Sequence, residues 1–199
     1  MEKFYNANYS RKQATTPYKR LKPGWYKTHL HQNYLISRTR PTTLIIGDSL
    51  VAGLRRYEAV WKKYFYQIVN VGIGGDLTQN VLWCTERLVL TSSIKCAIIH
   101  FGTNNVDTDE AEDIANGILL TAITLIKKLP ILKVIIAGLL PRELPWSSRR
   151  SKINKVNNHL EKICNNYLQI VFLKQNHWIF RNGMLNDEYF YIDNLHLIE

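Results

Sequence analysis

Short apolar runs alternate with amphipathic helical patterns along most of the chain, and this alternation restricts the fold more than any other feature of the sequence. Five of the runs predict buried strands, over residues 43–47, 67–71, 95–101, 133–138 and 168–173. The periodicity between them predicts helices over residues 51–66, 77–90, 108–129 and 148–164. Strands that alternate strictly with helices predict an α/β fold, a three-layer α/β/α sandwich around a five-stranded parallel sheet.

Local signals predict where two of the helices begin. Thr108 has a hydroxyl suited to an N-cap, and the acidic residues after it favour the positive end of a helix dipole. Asp76 stands in the same relation to the helix after the second strand. Both positions would lie where strands end, which is the edge at which α/β sheets bind ligands.

The composition fits one globular domain. The chain has 199 residues, of which 46% are hydrophobic, enough for a sizeable core. Its cysteines, Cys84, Cys96 and Cys164, are few and have no paired spacing, which predicts reduced thiols in an intracellular, cytoplasmic protein. The apolar stretches are too short or too interrupted to predict a membrane span. We find no cluster of metal ligands in the sequence, and we expect neither a metal nor a cofactor.

The positive charge is concentrated in the first forty residues. Residues 1–40 contain nine Lys or Arg and one acidic residue, whereas residues 41–199 contain 17 basic and 15 acidic residues. We therefore predict a basic N-terminal extension over residues 1–40 and a separate domain over residues 41–199. Aromatic residues lie among the basic ones, which suits the phosphates and bases of RNA or single-stranded DNA. The alternative is a solvated tail that partly packs on the domain.

Three short segments follow the first three predicted strands and contain groups suited to acyl transfer. Ser49 lies between a strand and a helix, where its hydroxyl can project from the edge of the sheet. Gly74 and Gly75 can turn a backbone N–H toward a reacting oxygen. Asn104 can donate its side-chain amide to an oxyanion without adding charge.

A possible base lies near the end of the sequence, where Asp193 and His196 stand three residues apart. On a short turn this spacing can place the carboxylate beside the imidazole, fixing its tautomer while the other nitrogen takes the serine proton. Each segment alone has a plainer interpretation, as a helix cap for Ser49, a tight turn for the glycines or an Asx turn for Asn104. The ordered set favours a serine hydrolase.

Other residues are weaker candidates. Arg142 and Trp146, after the fourth strand, could shape the substrate side of the site or simply cover the edge of the sheet. Cys84 has no nearby base for nucleophilic catalysis. His100 lies inside a strand and is expected to face the core.

The four segments together resemble the SGNH (GDSL) hydrolase superfamily over residues 42–199. The resemblance implies a flavodoxin-like fold and assigns roles to site residues. It implies Ser49 as nucleophile, His196 as general base with Asp193 as its partner, and an oxyanion hole formed by Ser49 N–H, Gly75 N–H and Asn104. Four longer stretches look most like the α subunits of intracellular platelet-activating factor acetylhydrolases: residues 70–76, 80–83, 102–105 and 138–142.

The resemblance leads to two hypotheses about function. The first is a serine esterase that cleaves a short acyl ester and forms a homodimer. The second is an esterase-fold module that binds nucleic acid through residues 1–40 with weak or no hydrolase activity, because the chain is also similar to esterase domains of LINE-type retrotransposon first-reading-frame proteins. Superfamily members usually continue past the catalytic histidine with a helix. The sequence stops at Glu199, and we expect the domain to lack this C-terminal helix.

Overall fold

A five-stranded parallel sheet forms the centre of the protein. The computed structural model describes residues 14–57, 59, 63 and 67–174, and the backbone of a two-stranded sheet over residues 180–181 and 184–185. The strands of the large sheet are β1 (Thr43–Gly47), β2 (Ile68–Asn70), β3 (Cys96–His100), β4 (Lys133–Ala137) and β5 (Ile170–Leu173). Their spatial order, β2-β1-β3-β4-β5, is that of a flavodoxin-like fold, which confirms the predicted architecture.

Helices cover the sheet to form the α/β/α sandwich. Those described are α1 (Trp25–Thr39), α2 (Ser49–Gly53), α3 (Thr78–Glu86), α4 (Ala111–Lys128) and α5 (Ser148–Cys164). Helix α4 packs between α3 and α5. Among the described residues, no helix combines the length and apolar character needed to cross a bilayer.

The core lies between the central strands and the α4–α5 pair. In β1, β3 and β4 every second side chain is buried, because successive residues of a strand point to opposite faces of the sheet. The strand residues of this face are Leu44, Ile46, Ala97, Ile99, Val134 and Ile136. The helix residues that meet them include Ile114, Ile118, Leu125, Ile153, Val156 and Leu160.

Both predicted helix caps are wrong. Helix α4 begins after Glu110, and the hydroxyl of Thr108 donates instead to Asp109 at 2.7 Å. Helix α3 begins after Leu77, whose N–H donates to the Asn80 side chain at 3.0 Å. Thr108 and Asp76 therefore lie before the residues at which these helices begin, and Asp76 has a different role described below.

The described part of the N-terminal segment packs onto the sheet domain. Helix α1 buries four side chains: Trp25, His29, Gln32 and Ile36. Before it, the backbone of Tyr18 pairs with α3, donating to Gln79 O at 3.0 Å and accepting from the Asn80 side chain at 2.9 Å. Residues 14–24 thus form a strap, here called the N-terminal strap, which lies along α3 and leads into α1.

Close backbone contacts hold α2 against the ends of β1 and β2. A Cβ added at Gly47 would lie 2.4 Å from Cγ2 of Val51 in α2 and 2.0 Å from the carbonyl oxygen of His100 in β3. A Cβ at Gly72 would lie 2.5 Å from the backbone nitrogen of Ala52. Helix α2 ends at Gly53 and continues as a 3₁₀ turn over Leu54–Tyr57. Of the later residues in the helix predicted over 51–66, the structure describes 59 and 63, and both are helical.

Substitution by alanine should affect the stability of the protein differently at Gly72, which lies beside α2, and at Gly53, which is the last residue of α2. Gly72→Ala is expected to lower the free energy of unfolding by about 2 kcal/mol or more, because its Cβ meets backbone that has little room to move. Gly53→Ala has no atom within 4 Å and lies in a helix, so it should leave stability unchanged or raise it by up to about 1 kcal/mol. Urea denaturation measures both, and equal effects would contradict the proposed close contact.

Candidate active site

Strand register brings three loops to the same edge of the sheet. Gly47 at the end of β1 pairs with His100 at the end of β3. On the other side of β1, the N–H of Ile73 donates to Gly47 O at 3.0 Å, extending the pairing with β2. The loops that contain Ser49, Gly75 and Asn104 therefore begin side by side.

Ser49 is the first residue of α2 and is half-buried at the carboxyl edge of the sheet. The buried Asp48 side chain caps this helix by accepting from Leu50 N–H at 3.1 Å. Asn70 ties α2 to the second loop, since its amide donates to Val51 O at 2.6 Å while its carbonyl accepts from Gly72 N–H at 2.9 Å. The position of the candidate nucleophile is thus set by side chains on both neighbouring elements.

The second loop is a tight turn over residues 73–76. Asp76 N–H donates to Ile73 O at 3.3 Å, and Gly75 has a φ of 76°. A positive φ at the third residue, without one at Gly74, defines a type II turn, in which glycine is strongly favoured at that position. The exposed Gly75 therefore has a conformational reason to be glycine.

The third loop is a 3₁₀ turn over Thr103–Asn105. The Asn104 amide nitrogen donates to Asp76 O at 3.0 Å, which uses one of its two N–H groups and orients the amide toward the second loop. Asn105 is fully buried, and its side-chain oxygen accepts from Thr78 N–H at 2.9 Å. These bonds join the second and third loops directly.

Asp76, predicted only as a helix cap, is the buried centre of this region. Its Oδ1 accepts from Trp25 Nε1 at 2.7 Å and from Arg20 Nη1 at 3.3 Å. Burial raises the pKa of Asp76 to about 7, against the lowering effect of the Trp25 hydrogen bond and of Arg20. The sequence signal for this role was absent, because the donors lie more than fifty residues earlier in the chain.

The other candidates have mixed outcomes. Arg142 donates to Thr103 O at 3.3 Å, beside the third loop, whereas Trp146 is 76% exposed. Cys84 is buried, and desolvation raises the pKa of its thiol far above the ordinary value, which leaves it protonated at neutral pH. His100 is half-buried, with Nδ1 3.2 Å from Ala137 O.

Two predicted site residues, Asp193 and His196, lie outside the described residues. Within the part of the chain that is described, no group of three or more His, Cys, Asp or Glu side chains is arranged to hold a metal ion. Of the predicted site residues, the structure brings the loops of Ser49, Gly75 and Asn104 to one edge of the sheet. The hydrogen bond from the Asn104 amide to Asp76 O joins the last two of these loops.

Comparison with known proteins identifies related hydrolases. Residues 45–199 match the GDSL-like lipase/acylhydrolase family. The human platelet-activating factor acetylhydrolase IB subunit alpha2 is 36% identical over 124 residues, which cover 61% of this chain and 53% of that protein. The rat subunit alpha1 is 33% identical over 179 residues, covering 87% of this chain and 75% of that protein. The chain thus spans about half the length of the alpha2 relatives it matches.

The fold is also shared with solved structures. The crystal structure of a GDSL-like lipase from Bacteroides thetaiotaomicron superimposes with a TM-score of 0.71 at 22% identity. The match covers 88% of this chain and 90% of that one. The likeness extends across the sheet and its helices, in agreement with the strand order described above.

The raised pKa of Asp76 predicts a pH-dependent stability. The folded protein holds this proton up to a pH of about 7, whereas the unfolded chain releases it near the ordinary value of 3.8. The stabilisation that this retained proton gives the folded protein is therefore fully present at low pH and is lost as the pH rises from about 4 to about 7. Asp76→Asn retains an acceptor for Trp25 and has no charge to bury. We expect its stability relative to the wild type to rise by about 3 kcal/mol between pH 5 and pH 8.

Urea denaturation at the two pH values measures this difference. Asp113→Asn, in the first turn of α4, makes the same change of charge elsewhere and serves as the control. A stability difference for Asp76→Asn that does not change with pH would show that the carboxyl group is ionised in the folded protein at both values.

Proposed function

The chain belongs to the GDSL-like lipase/acylhydrolase family, and we propose that it is a serine esterase that removes a short acyl group from an ester through an acyl-serine intermediate. The observation that carries the proposal is the convergence of three loops at one edge of the sheet. Ser49 begins α2, Gly75 forms the adjacent type II turn, and Asn104 donates to that turn. Packing of the fold alone gives little reason for a serine, a glycine with positive φ and an oriented side-chain amide to lie at the same edge of the sheet.

In the first half of the proposed reaction, Ser49 Oγ attacks the carbonyl carbon of the ester. His196 takes the hydroxyl proton, and Asp193 holds the imidazole in the required tautomer. The carbonyl oxygen becomes an oxyanion, which accepts from Ser49 N–H, Gly75 N–H and the second N–H of the Asn104 amide. One lost donor of this kind typically costs about 2.7–4 kcal/mol of barrier.

Collapse of the tetrahedral intermediate breaks the ester C–O bond. The leaving alcohol takes the proton from His196, and the acyl group stays on Ser49. Water then attacks the acyl-serine with His196 as base, and the acid is released with Ser49 restored. The Asn104 amide needs no reorganisation during these steps, because its bond to Asp76 O already fixes its direction.

The family relatives support a small acyl group. The curated relatives reported above are named as platelet-activating factor acetylhydrolase subunits, a name that specifies removal of an acetyl group. We therefore propose an acetyl or similarly short ester as substrate. A homodimer, suggested by the same resemblance, stays a prediction.

Ser49→Ala is expected to abolish ester hydrolysis. p-Nitrophenyl acetate, butyrate and octanoate would be compared, with kcat/KM highest for acetate and at least about a thousandfold lower in the variant. Ser151→Ala, on an exposed position of α5, is the matched control and should retain the wild-type rate. Hydrolysis by Ser49→Ala at the wild-type rate would refute the nucleophile, and a preference for octanoate would refute the short acyl specificity.

A second candidate function, nucleic-acid binding, is favoured by the outward face of α1. We propose it as an additional property of the same chain. Helix α1 contains no acidic residue, and Lys27, His31, Tyr34 and Arg38 are exposed on it. A groove of about 450 Å³ beside them is lined by Lys27, His31 and Arg55, together with uncharged residues. Cations on this face would meet phosphates, and the Tyr34 ring would stack on a base.

The inward face of α1 does not take part in this proposal. Arg20 and Trp25 belong to the same basic and aromatic segment but donate to Asp76. Deletion of residues 1–40 would remove the buried side chains of α1 and uncover the domain residues against which they pack, and is therefore a poor test. Reversal of exposed charges leaves the packing intact.

The double variant Lys27→Glu, Arg38→Glu should bind single-stranded RNA at least about tenfold more weakly than the wild type. Fluorescence anisotropy with a labelled oligouridylate measures this, and wild-type affinity should fall steeply as salt rises. Lys155→Glu, Lys162→Glu makes the same charge change on the exposed side of α5. An equal loss in this control would indicate nonspecific attraction, and absence of wild-type binding would refute the second function.

A further inference from the structure

The orientation of one peptide bond decides whether Gly75 N–H can serve an oxyanion. In a planar trans peptide the C=O and the N–H point in opposite directions. The group that holds the Gly74 carbonyl therefore also sets the direction of the Gly75 N–H. This peptide is the central one of the turn over residues 73–76.

Two turn types are available to this segment. Types I and II share nearly the same end positions and differ by a flip of the central peptide, with φ of the third residue negative in type I and positive in type II. Because the central residues are Gly74 and Gly75, neither side chain opposes the flip. The observed φ of 76° at Gly75 is that of type II.

The ends of the turn are held independently of its centre. Gly72 O accepts from Gln32 at 3.1 Å and from Arg55 at 2.7 Å. At the other end, Asp76 is fixed by Trp25 through its side chain and by Asn104 through its carbonyl. These bonds fix where the turn begins and ends, but they do not select between its two types.

Arg20 contacts the centre of the turn. Its Nη1 donates to Gly74 O at 2.9 Å and lies 3.3 Å from Asp76 Oδ1. A Cβ added at Gly75 would lie 3.1 Å from both Nη1 and Nη2 and 3.6 Å from Cζ, so the Nη1–Nη2 edge of the guanidinium faces the turn. The Arg20 side chain is 22% exposed, and the Asp76 carboxyl group beside it is 2% exposed.

The N-terminal strap is anchored on both sides of Arg20. Before it, Tyr18 is hydrogen-bonded to α3 through its backbone. After it, Trp25 packs against Trp83 at a ring-centroid distance of 5.4 Å and against His29 at 6.5 Å. The arginine is thus presented to the turn by a segment that is itself held in place.

We infer that Arg20 is a positioning residue that holds the Gly74–Gly75 peptide in the type II orientation and thereby directs the Gly75 N–H into the oxyanion hole. The inference rests on the proposed esterase function for its catalytic consequence, and on the turn geometry for its structural one. The N-terminal strap therefore contributes to the geometry of the active site, although it precedes residues 45–199, which match the family. A charge-assisted hydrogen bond of this kind shifts a two-state equilibrium by about tenfold to a hundredfold.

Kinetics of Arg20→Ala test the catalytic consequence. We expect kcat for p-nitrophenyl acetate to fall about tenfold with KM within about twofold, because the donor is needed mainly in the transition state. Arg20→Lys can still donate to Gly74 O and should recover part of kcat. Lys22→Ala removes the same charge from an exposed position of the strap and should match the wild type.

Crystal structures of the wild type and Arg20→Ala test the structural consequence without reference to activity. The wild type should show the type II turn, and the variant a type I turn or a mixture of both. A retained type II turn with unchanged kcat in Arg20→Ala would overturn the inference. Equal losses of kcat in Lys22→Ala and Arg20→Ala would overturn it as well, since charge alone would then explain the effect.

Failure of the esterase proposal gives a different result. In that case the wild type and Ser49→Ala hydrolyse the ester at the same rate, whereas the turn comparison still decides the role of Arg20. If Arg20→Ala does not fold, the turn in the Arg20→Lys and Arg20→Gln structures decides the same question. Lysine should preserve type II better than glutamine, because its charge strengthens the bond to Gly74 O, and equal occupancy in both would overturn the inference.

Discussion

The parallel register of β1 with its two neighbours is the constraint on which the rest of the site depends. Gly47 pairs with His100 on one side and accepts from Ile73 N–H on the other. The loops that follow β1, β2 and β3 are separated by tens of residues in the chain, yet they therefore begin at the same edge of the sheet. A slip of one residue would turn each strand's apolar side chains to the opposite face, so burial of the core and assembly of the site require the same register.

Much of this architecture follows from local sequence patterns. The bounds of β1 and α5 agree with prediction, since an apolar run ending at glycine and a helical periodicity beginning near a serine cap are local signals. Strands β2 and β5 are two residues shorter than predicted. Hydrogen bonds from Val71 N–H to Ile45 O and from Val134 N–H to Gln169 O nevertheless continue the pairing just beyond their ends. The order of Ser49, Gly75 and Asn104 along one edge was also predictable, because each follows a strand of the same parallel sheet. Their catalytic roles stay predictions.

The residues that join the loops could not be predicted in this way. Asp76 has the local signature of a helix cap, yet it accepts from Trp25, a donor 51 residues away. Arg20 and Trp25 carry the signature of a nucleic-acid segment, and only the packing of the strap shows that they face inward. Short polar motifs report what a side chain can bond, whereas its actual partner depends on which distant element is packed beside it.

The separation between Trp25 and Asp76 also sets an order of assembly during synthesis. At about 5–20 residues per second, α1 is made about 3–10 s before the turn that it supports. Throughout that interval its buried side chains have no partner, and its basic face and its apolar face are both uncovered. Until the turn has been made, Trp25 and the other buried side chains of α1 therefore lack the contacts that hold them in the finished protein.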